Sequence, residues 1–303
     1  ANRSPDPTPT VMKCCYIAQS HCTAPQGCHK LKLTLLITWS IPGKNKILFF
    51  ALIRLNIPPT IKMTEASINC RLPDFMGIGA MRSGTSWLTK QLNRHPDIWT
   101  SSPKELHFFD RHFTQYPGDY AGHFSDAPQS MSAGEITPAY AILETGQIAT
   151  IRSWIPDLKL LFIMRDPVER AWSHARKDFP QFRDKPVEDA HIDELREFME
   201  LPQVSMRGDY LTCLRNWLEH YDQSQLWFGF LEQAATDPLS LLRELFIFLG
   251  VDPGEEIDTK LAARPENTRP LSPIPGQLRT YLSEQLYRQN AGLEQLLGRI
   301  PGK

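Results

Sequence analysis

The sequence predicts a three-layer α/β/α fold in which helices cover both faces of a central parallel sheet. Three observations carry this expectation. From Phe75 onward, short apolar runs alternate with amphipathic helical spans, the pattern of strand and crossover-helix units. The run Lys159–Met164 is uninterruptedly apolar after its first residue, as in a strand buried on both sides. A glycine-bearing turn, Gly77 to Gly84, joins the first strand to the first helix.

The expected strands are Phe75–Gly79, Asp97–Thr100, Lys159–Met164 and Leu226–Phe230. The expected helices are Ser86–Arg94, Ile148–Trp154, Val168–Asp178, Ile192–Met199, Gly208–His220, Pro238–Leu249 and Gln277–Leu297. Trp87, Trp172, Trp217 and Trp227 fall on these elements and read as core. With 303 residues and 41% hydrophobic content the chain can bury a real core, which excludes a disordered, collagen-like or disulfide-miniprotein class.

The net charge of -1 is a cancellation between unlike parts. Residues 1–62 hold eight Lys or Arg against Asp6, giving +7, and the remainder holds 25 basic against 33 acidic residues, giving -8. Four of six cysteines (Cys14, Cys15, Cys22, Cys28) also lie early, in a spacing unlike paired zinc ligands, so no metal site is read. Residues 1–62 therefore read as a basic, Pro- and Cys-containing N-terminal extension, unstructured or foreign to the natural protein, with Met63 as the natural start. Residues 63–303 read as one domain. The apolar runs Leu31–Trp39 and Ile47–Ile57 are interrupted by Pro42 to Lys46, so neither reads as a membrane span, and no secretory signal is recognised. With Cys70 and Cys213 read as reduced thiols, the expected compartment is the cytoplasm. The basic excess lacks interleaved aromatics, which argues against nucleic-acid binding.

The most informative stretch is Gly77-Ile78-Gly79-Ala80-Met81-Arg82-Ser83-Gly84-Thr85-Ser86-Trp87. A glycine turn between a strand and a helix N-terminus lets backbone N–H groups approach an anion. Gly79 and Gly84 match the nucleotide-triphosphatase loop, so the fold is P-loop-like. Thr85, however, occupies the place of the lysine that reaches the terminal phosphates of ATP. The cation has moved to Arg82. Ser83, Gly84, Thr85, Ser86 and Trp87 complete the candidate anion contacts.

A second grip follows the strand Lys159–Met164, which delivers Arg165 to the carboxyl edge of the sheet, where ligands of open α/β sheets bind. Ser173 follows on the next helix, where Arg170 and His174 share a face. The ordinary alternative is a salt bridge from Arg165 to Asp166 or Glu169.

Two phosphate grips without a Walker lysine resemble the sulfotransferase family, whose donor is 3'-phosphoadenosine 5'-phosphosulfate (PAPS) and whose product is PAP. The loop around Arg82 resembles its 5'-phosphosulfate motif, and Arg165 to Ser173 its 3'-phosphate motif. The resemblance runs from about Phe75 to Leu297. It implies direct in-line sulfuryl transfer to a hydroxyl or amine, with no metal required.

Arg82 stands where many members carry a catalytic Lys. Arg can stabilise developing charge but cannot donate a proton at neutral pH. Lys104-Glu105-Leu106-His107-Phe108-Phe109-Asp110 looks like the KExHFFD stretch of heparan sulfate-type enzymes, in which the Glu is the base. Glu105 is accordingly the chosen base and His107 the reserve; if the stretch is extended, both point to one side. Gly134-Glu135-Ile136-Thr137-Pro138-Ala139-Tyr140 resembles the family's EKTPAY segment, which lines the acceptor side of the cleft. Ile136 replaces a Lys there, which disfavours a polyanionic acceptor, as does the -8 charge. Asn267 to Arg269 and the loop Pro270 to Gly276 resemble the region closing over the nucleotide.

The implied partners are a small-molecule, lipid or saccharide acceptor. Alternatives are a P-loop nucleotide kinase with a degenerate loop, and a noncatalytic nucleotide-binding protein. A chain beginning at Met63 is expected to fold and bind PAP as the full chain does, checked by thermal unfolding with and without PAP. Failure to fold would overturn the assignment of residues 1–62.

Overall fold

In the computed structural model, which describes residues 71–114, 116–253 and 272–298, five strands pair in parallel. They are β1 (Phe75–Gly79), β2 (Ile98–Thr100), β3 (Ser132–Ile136), β4 (Lys159–Met164) and β5 (Leu226–Phe230), in the order β2-β3-β1-β4-β5. Residues 1–62, and with them the boundary expected at Met63, lie outside the described residues. The segment Asn267 to Arg269 lies outside them too.

Strand side chains alternate between two cores, as period-two geometry requires. Met76, Ile78, Leu160, Phe162 and Phe228 pack on one face with α4 (Thr145–Trp154) and α8 (Tyr210–Leu218). Phe75, Ile136, Leu161, Ile163 and Trp227 pack on the other with α1 (Thr85–Leu92) and α10 (Pro238–Leu249). A third apolar cluster joins α5 (Pro167–Arg183), α6 (Ile192–Glu200) and α11 (Gly276–Gln289) beside the sheet.

The elements form for local reasons. The carboxylate of Asp166 accepts from the N–H groups of Val168 and Glu169 at 3.0 and 2.9 Å, capping α5, while Pro167 occupies the first turn. Asp209 caps α8 by accepting from the Thr212 N–H at 3.0 Å, so that helix starts later than Gly208. The helix expected over Gln277–Leu297 divides at Asn290–Gly292, where Gly292 takes φ 98°, and resumes as α12 (Leu293–Leu297). Short helices α2 (Phe108–Arg111), α3 (Pro117–Ala121), α7 (Pro202–Ser205) and α9 (Leu231–Thr236) were not anticipated.

The largest departure is β3, a strand in the middle of the sheet that the sequence reading did not identify. Its residues Ser-Ala-Gly-Glu-Ile show neither apolar continuity nor β-branched enrichment. Gly134 is there because β1 comes too close for a side chain: a Cβ on it would lie 2.4 Å from the Phe75 carbonyl oxygen. Because that obstacle is backbone, Gly134→Ala is expected to cost about 3 kcal/mol of stability, as overpacking of a tight interior does. Urea unfolding measures it, and an unchanged midpoint would show that the strands separate freely.

Candidate functional site

The chain leaves β1 toward β2 and β3 on one side of the sheet and leaves β4 toward β5 on the other, so the crevice between the carboxyl ends of β1 and β4 is the topological switch point. Both candidate anion motifs open there. The Ala80 N–H donates to the Ile163 carbonyl at 2.8 Å, tying the loop's first residue to β4, and the Ser83 N–H donates to the Ala80 carbonyl at 3.2 Å, closing a turn. Gly84, at φ 92°, then feeds α1, and a Cβ there would meet Leu231 at 2.5 Å. The first turn of α1 places Thr85 and Ser86 where helix N–H groups have no intrahelical acceptor.

The Arg82 Nε donates to the Ser173 Oγ at 3.2 Å. Residues separated by 91 positions, one from each motif, therefore touch. Arg82 reaches this position from a left-handed backbone, φ 69°, which a non-glycine residue seldom adopts. Ser83 and Ser173 are buried. The Trp87 side chain packs with Phe75, Leu88 and Leu161 in the core beneath α1. Arg165 is placed at the end of β4 as expected and also makes the anticipated ion pair, Nη2 to Glu169 Oε2 at 3.6 Å. Its carbonyl accepts from the Tyr210 hydroxyl at 3.0 Å.

Across the crevice, the loop after β2 brings in Lys104, Glu105 and His107. The Lys104 Nζ lies 2.6 Å from Glu105 Oε1 and donates to Ser86 Oγ at 3.4 Å. Lys104 had no assigned role in the sequence reading; its position next to an acidic residue was the available signal. His107 Nε2 is 3.6 Å from Glu105 Oε2, and its Nδ1 is 2.9 Å from Asp110 Oδ2. The stretch is not extended: Glu105 and His107 take φ 63° and 52°. The two side chains meet through this left-handed backbone instead of through strand alternation.

Behind this loop lies a buried polar cluster that the sequence did not reveal. The carboxylate of Glu135, with no solvent exposure, accepts from Tyr120 Oη at 2.6 Å, Thr137 Oγ1 at 2.6 Å and Tyr140 Oη at 3.2 Å. Burial pushes the Glu135 carboxyl above its ordinary range, opposed by those hydroxyls and by the Leu106 N–H. Ile136, the residue in place of the Lys of the EKTPAY-like segment, faces the opposite core and packs against Gly77.

His174 is 3% exposed and pairs with Asp178, Nε2 to Oδ2 at 3.0 Å. Burial, followed by Arg170, Arg207, Arg82 and Lys177, holds its pKa down to about 3. Among the described residues no group of three His, Cys, Asp or Glu side chains is arranged to hold a metal ion, and no helix is long and apolar enough to cross a membrane.

Residues 72–264 match the family model described as sulfotransferase domain. The chain belongs to that family. The sulfotransferase domain is similar to the heparan sulfate glucosamine 3-O-sulfotransferase 3A1 of Mus musculus, 28% identical over 200 residues, covering 64% of this chain and 50% of the relative. It is also similar to the membrane-associated sulfotransferase kil1 of Dictyostelium discoideum, 34% identical over 119 residues, covering 38% of this chain and 25% of the relative. The chain thus spans half or less of the length of these curated relatives. The crystal structure of a sulfotransferase from Alicyclobacillus acidocaldarius shares the fold, with TM-score 0.61 and 24% identity over 76% of this chain and 97% of the other.

Because His174 is held neutral when folded but titrates near 6.5 when unfolded, the unfolded state takes up the proton first. Its contribution to stability is present above pH 6.5 and is lost as pH falls toward about 3. His174→Gln is expected to flatten the fall of the thermal midpoint across that window; an unchanged slope would refute the burial argument.

Proposed function

We propose that this sulfotransferase domain transfers the sulfuryl group of PAPS to a hydroxyl or amine of a saccharide, lipid or small-molecule acceptor. The observation that carries the reading is the 3.2 Å contact from Arg82 to Ser173, which joins the two anion motifs at one crevice. The residues there fit a doubly phosphorylated donor. Arg82, Lys104 and Arg165 are cations at the carboxyl edge, and Thr85, Ser86 and Ser173 add hydroxyls and helix N-terminal groups. Bound PAPS supplies the sulfuryl group and a 5'-phosphate as leaving group.

Arg82 presents its guanidinium to the charge that develops between these two groups, and Lys104 reaches the first turn of α1 through Ser86. Glu105 takes the acceptor's proton as its oxygen or nitrogen bonds to sulfur, and His107, held by Asp110, orients the Glu105 carboxylate. Glu105 is preferred to His107 on the resemblance of the stretch to KExHFFD and because its side chain is 36% exposed against 19% for His107. A saccharide acceptor has the support of the name of the murine relative. A cytoplasmic location rests on reading Cys70 and Cys213 as reduced thiols; fractionation of cells checks it, and recovery with membranes would overturn it.

Arg82→Ala is expected to lower turnover on the order of 100-fold, the effect of removing one preorganised charge-stabilising donor. Glu105→Gln is expected to abolish transfer while PAP still raises the thermal midpoint. Both are read with labelled PAPS against a screen of saccharide, lipid and small hydroxyl or amine acceptors. Stabilisation by ATP and not by PAP would favour a nucleotide kinase; PAP binding without transfer to any acceptor would favour a noncatalytic protein. Turnover retained in Glu105→Gln and lost in His107→Ala would make His107 the base.

A further inference from the structure

We propose that Glu135 and Tyr140 are positioning residues for the catalytic loop, holding its main chain so that Glu105 stands over the anion crevice; this rests on the reading of Glu105 as base. Two non-glycine residues in left-handed conformation, Glu105 and His107, flank Leu106. Such a backbone persists only where neighbouring structure over-determines it. The pins are on the next residues. The Leu106 N–H donates toward the Glu135 carboxylate. The Phe108 N–H donates to Tyr140 Oη at 2.9 Å, and Tyr140 in turn donates to Glu135 Oε1 at 3.2 Å. The Phe109 carbonyl accepts from Gln147 Nε2 of α4 at 2.8 Å.

The two anchors come from different elements, β3 and the short 3-10 turn Pro138–Ile142 that follows it. Tyr120 and Thr137 do not touch the loop through hydrogen bonds of their own; they fill the remaining acceptor sites of Glu135 and fix its rotamer. The loop is thereby referenced to β3, which pairs directly with β1, the strand that ends in the anion loop. The base and the sulfuryl-binding residues are thus held in register through one strand pair. Neither Glu135 nor Tyr140 is in position to meet substrate, since both are fully buried.

The test is turnover per PAP-binding site, so that any loss of folded protein cancels. PAP affinity and stoichiometry are measured by calorimetry, and turnover is read as PAP released from labelled PAPS, with water as the acceptor common to all variants. Glu135→Gln and Tyr140→Phe are each expected to lower turnover per site by about 10- to 100-fold, the scale of a small misplacement of a reacting group, with PAP affinity and the KM for PAPS unchanged within about twofold. In Tyr140→Phe, the Phe108 amide is expected to lose its protection from hydrogen exchange. In a Glu105→Gln background, neither substitution is expected to reduce turnover further. Full turnover per site in both variants, with Glu105→Gln inactive, would overturn the positioning role alone. Turnover retained in Glu105→Gln would instead overturn the reading of the base on which it rests.

Discussion

A carboxylate with no access to water has to be satisfied entirely by the protein, and much of this domain's catalytic end is arranged around that requirement. Glu135 sits on a central strand, and an unpaired charge there would cost several kcal/mol. Two tyrosines, one threonine and one backbone amide meet it. Each partner belongs to a segment that must then hold its place: α3 carries Tyr120, the turn after β3 carries Thr137 and Tyr140, and the loop after β2 carries Leu106. The polar cluster links elements that apolar packing alone would leave free to slide.

The other organising feature is the crevice between β1 and β4. Parallel strands deliver their following loops to one edge of the sheet, so the anion loop after β1 and the Arg165 to Ser173 segment after β4 emerge side by side. Arg82 closes the distance by contacting Ser173. Positive charge is concentrated here although residues 63–303 carry -8 overall. The local placement of charge matters more than the total, because interactions across a few ångströms in a partly dehydrated crevice are weakly screened. Left-handed backbone at Arg82, Glu105 and His107, at about 1–3 kcal/mol each, is concentrated at the same edge.

Most of the layer architecture was legible because its signals are local. The runs Phe75–Gly79, Lys159–Met164 and Leu226–Phe230 are apolar over their length, and the caps Asp166 and Asp209 stand where the helices begin. Strand β3 escaped notice because what makes it a strand lies elsewhere in the chain: Phe75 demands its glycine, and Tyr120 and Tyr140 make its glutamate tolerable. Ile136 shows the same limit in reverse. It stands in a segment read as lining the acceptor side, but alternation along β3 turns it into the core opposite Glu135.

Residue types and order by themselves determined the fold class, the anion loop with arginine in place of lysine, and the candidates Arg165, Ser173, Glu105 and His107. The fold class and the anion loop follow from periodicity and turn chemistry, which act over a few neighbouring residues, and the roles of the candidates follow from the resemblance of their short motifs to those of sulfotransferases. Only the tertiary structure decided that Arg82 meets Ser173 and that Lys104 joins Glu105 to the anion loop through Ser86. It also decided that a buried glutamate accepts from the main chain of the loop that carries Glu105. Those facts depend on strand order and on backbone conformations outside the usual wells, which are set when distant segments are brought together and their buried polar groups must find partners.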